Sequence, residues 1–110
     1  MKHIAFHPDA DTEVIEAVQF YETRSPGLGS ALLSEVQRSL AQIVARPEAY
    51  QQIGRRVRRK VLWRFPYNLI YAVYSNRIRV VAFAHQKRRP FCWRKRLKGT
   101  TEEGKGSTRS

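Results

Sequence analysis

A chain of 110 residues, 42% of them apolar, holds one small domain around one hydrophobic core and excludes both a multidomain protein and a largely disordered one. Its net charge of +12 is segregated: Gly54 to Leu97 carries fourteen Lys or Arg and no Asp or Glu, whereas the first fifty-three residues hold seven acids against four bases. Such a directional field steers polyanions, so nucleic acid or an acidic protein segment is the expected partner class.

Lys2 to Phe6 has the composition of a short strand and turns polar by His7, with no secretory apolar core. Cys92 is the only cysteine, which excludes an intramolecular disulfide and a thiolate zinc site from this chain alone and fits a reducing cytoplasm. Pro8 and Asp9 open a helix in which Val14, Ala17, Val18 and Tyr21 recur at helical spacing, while Asp9, Asp11 and Glu13 favour its positive N-terminal end. It runs to about Arg24, and Glu13, Glu16 and Glu22 read as its solvated acidic face. Ser25-Pro26-Gly27 turns the chain into a second amphipathic helix with Leu33, Val36, Leu40, Ile43 and Val44 as its stripe, stopped by Pro47.

From Arg56 the period changes to two: Arg56, Arg58, Lys60 and Arg64 alternate with Val57, Val61, Trp63 and Phe65, which predicts a strand with one basic face. Pro66-Tyr67-Asn68 turns into a central strand over Leu69 to Tyr74. That is the longest apolar run, six residues against the roughly 20 that cross a bilayer, so no membrane is involved. Ser75-Asn76 is a tight hairpin loop and Arg77 to His85 the last strand. The expected fold is α+β, β-α-α-β-β-β, two layers with a helical hairpin on one face of a mainly antiparallel four-stranded sheet. The other face, with the even-numbered bases, would be open. The domain spans residues 1–97, and 98–110, rich in Gly, Ser, Thr and charge, forms a flexible polar tail.

Five motifs occur in order on these elements: Phe20-Tyr21-Glu22, Gly27-Leu28-Gly29, Pro47-Glu48-Ala49-Tyr50, Arg64-Phe65-Pro66-Tyr67-Asn68-Leu69-Ile70-Tyr71, and Ala84-His85-Gln86-Lys87-Arg88-Arg89-Pro90 with Trp93. Together they resemble the RelE/ParE toxins of type II toxin–antitoxin modules, a family that includes plasmid stabilisation proteins. The resemblance runs from about Ile4 to Leu97. It implies a small bacterial toxin neutralised by a cognate antitoxin. It also implies one of two targets: DNA gyrase, which ParE-like members poison, or the ribosome, where RelE-like members cut messenger RNA.

A metal-independent ribonuclease needs a base for the 2′-hydroxyl, cations for the phosphate charge and an acid for the leaving oxygen. Arg64 and Arg88 or Arg89 stand where phosphate cations would be. His85, whose imidazole is the side chain best suited to take a proton, stands where a base would be, or else orders the loop that follows it. The family resemblance puts a tyrosine where this chain has Trp93, and indole cannot supply that proton. The reading favoured is therefore a gyrase inhibitor without chemistry of its own. Its target or antitoxin contacts would come from Arg56, Arg58, Lys60, Arg64, Lys87, Arg88, Arg89, Trp93, Arg94, Lys95 and Arg96. The alternatives are a nuclease working through Arg64, His85 and Arg89, and a non-toxic basic binding module. Of Trp63, Tyr67 and Tyr71, at least two belong to packing, and Cys92 is a packing residue. His3 and His7 stand apart from any other ligand type, so no metal or cofactor is expected.

Overall fold

The computed structural model describes residues 2–87 and 93–100, the last three through their backbone alone. Eight elements follow in order: β1 (His3–Phe6), α1 (Pro8–Arg24), α2 (Leu28–Ala45), β2 (Gln51–Gly54), β3 (Val57–Val61), β4 (Tyr67–Val73), β5 (Arg77–His85) and α3 (Arg94–Thr100). They form an α+β fold in which the α1–α2 hairpin packs on one face of a sheet ordered β1-β5-β4-β3-β2. β1 pairs with β5 in parallel, and every other pairing is antiparallel.

Each helix boundary has a local cause. His7 stands before α1 in extended backbone, and its Nδ1 accepts the Asp9 N–H at 3.0 Å, while Pro8 takes the first helical position, where its missing N–H costs nothing. Gly27 precedes α2 with φ 90°, a left-handed conformation that favours glycine. It brings no capping side chain, and α1 provides one instead. The Glu22 carboxylate accepts the Gly27 N–H at 3.0 Å and the Gly29 N–H at 2.9 Å, satisfying donors that a helix start leaves open. The helix ends at Ala45, because Arg46 precedes Pro47 and is pushed out of helical backbone.

The core under the helices joins Val14, Ala17, Leu32, Val36 and Ile43 to Leu69, Tyr71, Ile78, Val80 and Phe83, all buried. A second core occupies the other sheet face, where Val57, Ile70, Ala72, Val81, Ala82 and Ala84 lie under Trp93, with Leu97 and Tyr74 packed against them. Burial on both faces is why β4 and β5 read as nearly continuous apolar runs.

Three expectations are corrected here. The sheet has five strands, because the polar segment Gln51–Gly54 pairs with β3 through a turn in which Arg56 has φ 56°. β3 stops at Val61; Trp63 to Pro66 form a loop closed by the Leu62 N–H donating to the Tyr67 carbonyl at 3.0 Å. The even-numbered bases Arg58 and Lys60 do not decorate an open face. They pair with Tyr71 and Leu69, which belong to the core under the helices, so they share the helical side, and the opposite face is covered. Arg88, Arg89, Cys92 and residues 101–110 lie outside the described residues.

Candidate functional site

The loop between β3 and β4 presents Trp63 and Arg64, and a buried carboxylate fixes its backbone. Glu35, on the sheet-facing side of α2 and only 4% exposed, accepts the backbone N–H of Trp63 and that of Arg64, the latter at 3.1 Å. Two backbone donors tied to one buried carboxylate hold the loop in a single course. Phe65 turns inward into the core, so Trp63 is left 87% exposed, the most exposed large apolar side chain described. Arg64 stands over the Phe65 ring, its guanidinium carbon 5.7 Å from the ring centre.

Tyr67 stacks on Phe83 at 4.6 Å, and His85 meets Tyr67 edge-on at 5.3 Å. The His85 Nδ1 accepts the Lys87 N–H at 3.1 Å, so the ring orders the turn that follows the strand. A cleft of about 380 Å³ lies beside it, lined by Glu13, Glu16, Ala17, Phe20, Tyr67, Phe83 and His85. Burial, with Tyr21 alongside, pushes the Tyr67 hydroxyl above its usual pKa. Burial likewise pushes Tyr71 up to about 12, and its hydroxyl donates to the Pro47 carbonyl at 2.7 Å.

Among the described residues, Arg64 and His85 share no hydrogen bond or ring contact. Successive edge-on ring contacts link Phe65, beside Arg64, to Tyr21 at 5.1 Å, Tyr21 to Tyr67 at 6.3 Å and Tyr67 to His85 at 5.3 Å. The third nuclease candidate, Arg89, lies outside the described residues.

The residues expected to bind a target divide into displayed and internally committed. Arg64, Lys87, Arg94 and Lys95 are exposed. Arg56 lies 5.0 Å from the Tyr74 ring, and Lys60 stands 4.9 Å from the Tyr50 ring. Arg58 donates to the Glu48 and Tyr50 carbonyls, bracing the segment that leads into β2. Trp93 is buried in the second core, so its indole fastens α3 to the sheet and offers no open contact surface. Arg96 is likewise a tie: it makes two hydrogen bonds to Glu13, at 2.9 and 2.8 Å, and one to the Val81 carbonyl at 2.9 Å.

Glu13 and Glu22 therefore leave the solvated face assigned to them, the first paired with Arg96 and with the Phe83 N–H at 3.0 Å, the second capping α2. Sequence reasoning also missed Glu35, whose one signal is an acid on the otherwise apolar stripe of α2. Among the described residues no group of three or more His, Cys, Asp or Glu could hold a metal ion, and no helix is long and apolar enough to cross a membrane.

Comparison with known proteins bears on both fold and site. No curated protein matches the chain. Among solved structures, one from a chromosomal ParDE TA system of P. aeruginosa superposes with a TM-score of 0.58 at 19% identity, covering 77% of this chain and 96% of that one, which is a likeness of fold. The family model described as the ParE toxin of the type II toxin–antitoxin system parDE matches residues 4–90. That span takes in the capped helical hairpin, the Glu35-held loop and the His85 turn, and the chain belongs to this ParE toxin family.

Proposed function

We propose that this ParE-family toxin acts in the cytoplasm by binding DNA gyrase, without chemistry of its own, and that a cognate antitoxin neutralises it. The observation that carries the reading is the exposed Trp63–Arg64 pair, an indole and a guanidinium that supply neither a general base nor a general acid at neutral pH. A rigidly held, exposed Trp63 next to Arg64 has instead the character of a binding anchor. Trp and Arg dominate protein interfaces, and a loop already fixed by Glu35 loses little freedom on association. The exposed bases Lys87, Arg94 and Lys95 supply the long-range attraction that speeds encounter with an acidic surface.

The test pairs two assays of the purified toxin: supercoiling of relaxed plasmid by purified gyrase, and cleavage of messenger RNA on programmed ribosomes. Inhibition of supercoiling with intact RNA is expected. Trp63→Ala should weaken that inhibition at least tenfold, roughly the 1.4 kcal/mol or more of an interface anchor, with an unchanged melting temperature because the ring is exposed. RNA cleavage that is lost in both Arg64→Ala and His85→Ala would overturn the reading. Activity in neither assay would leave a binding module and overturn it as well.

A further inference from the structure

The cleft beside His85 lies between α1 and the sheet, and gyrase binding through Trp63 and Arg64 leaves it unused. Its apolar lining comes from the buried Ala17 and Phe83 and the half-exposed Phe20. Three polar groups of the lining are uncommitted: among the described residues, the Glu16 carboxylate, the Tyr67 hydroxyl and the Nε2 of His85 make no hydrogen bond or ion pair. Glu13 is already tied to Arg96 and to the Phe83 N–H. The hydrogen-bonding sense of the three is fixed. Because His85 Nδ1 accepts the Lys87 N–H, the neutral ring carries its proton on Nε2 and offers a donor there. Burial favours the protonated Tyr67 phenol, a second donor, whereas the Glu16 carboxylate only accepts.

We propose that this cleft binds a primary carboxamide: its carbonyl oxygen accepts from Tyr67 and His85, its NH2 donates to Glu16, and its carbon stem rests on the apolar lining. The other charge states fit less well. A carboxylate would meet the like charge of Glu16. An ammonium or amidinium would turn its N–H groups on the donors of Tyr67 and His85, and it would approach the Arg24 guanidinium, which stands 4.5 Å from the centre of the Phe20 ring. A neutral planar amide presents one acceptor and two donors, and a space of about 380 Å³ is enough for an aryl amide or for the Gln or Asn side chain of a partner. The inference goes beyond gyrase binding and does not depend on it, because Trp63 and Arg64 take no part.

The experiment is a proton–nitrogen chemical-shift titration of the full chain, at mildly basic pH, with benzamide, benzamidine and benzoate. The three share a ring and differ in charge and in donor and acceptor sense. Benzamide should give saturable shifts centred on Ala17, Tyr67 and His85, with a Kd about tenfold below those of the other two. Glu16→Ala should weaken benzamide about tenfold and narrow or reverse its lead over benzoate, with an unchanged melting temperature because the carboxylate is exposed. An unchanged benzamide Kd in that variant would mean a merely apolar cleft and would overturn the proposal. N-acetylglutamine methylamide, titrated alongside, separates the two sources of the amide. Binding tighter than that of benzamide supports a partner's side chain, and weaker binding supports a small molecule. Tighter binding of benzamidine or of benzoate, or no saturable shift with either amide, would contradict the proposal.

Discussion

At Gly29, where α2 passes over α1, a methyl group would meet the Val18 carbonyl oxygen at 2.6 Å and the Glu22 side chain at 2.9 Å. Backbone cannot yield there as a flexible side chain would, so Gly29→Ala is expected to destabilise the fold by about 2–3 kcal/mol in urea denaturation. Gly27→Ala meets open space and loses about 1–2 kcal/mol through its positive φ alone. His7 supplies a pH-dependent contribution. Burial lowers its pKa below 6.5, Arg79 and Arg96 add to the shift, and Asp9 and Glu13 oppose it. The unfolded chain then binds more protons at this site than the native one, so the contribution is complete above about pH 6.5 and is lost as pH falls below it. Unfolding curves at pH 7.5 and 5.5 should show a smaller loss for His7→Asn, which keeps a capping side chain without an imidazole, than for the unaltered chain. An equal loss would remove His7 from the account. The turn at Gly27 was legible beforehand, but the side-chain ties of the acids were not. Glu22, Glu13 and Glu35 act on partners 5, 83 and 28 residues away, and only the fold brings such partners together.

Among the elements, both long helices and the last three strands' order could be read from the sequence, because helical spacing, Pro8, Pro47 and the apolar runs of β4 and β5 are strong local signals. β2 escaped notice because Gln51-Gln52-Ile53-Gly54 has neither alternation nor β-branched density, and an edge strand needs little of either. Alternation along β3 correctly separated Arg58 and Lys60 from Val57 but could not say which set faces the helices. A period of two fixes relative faces only. α3 was unreadable as structure because its basic residues suggest a surface, whereas Trp93 and Leu97 carry it onto the sheet and Arg96 locks it to α1. Arg96 and Glu13 are only 14% and 17% exposed, so the pair is worth more than a surface bridge. A double-mutant cycle of Arg96→Ala with Glu13→Ala should give a coupling of about 1–3 kcal/mol, while a value near zero would mean that Trp93 alone holds the helix.

Over the whole molecule, charge and shape are arranged together. The body is elongated, 45 × 27 × 21 Å, and the Trp63–Arg64 loop lies at the end of the sheet where β5 runs into Lys87. The seven acids of the first fifty-three residues lie in the helical half, several of them drawn into caps and ties, while Gly54 to Leu97 has none, so the basic strands keep their field. The family and the general fold were readable from five short motifs. The target was not, because it depends on whether Arg64 and His85 share a site, which is a matter of tertiary geometry. The most direct measurement expresses the toxin from a tightly controlled promoter in bacteria without its antitoxin and follows labelled thymidine and labelled methionine incorporation over minutes. Thymidine incorporation should fall first, with a DNA-damage response, and Trp63→Ala should delay the fall. Immediate loss of methionine incorporation, with DNA synthesis continuing, would contradict gyrase as the target.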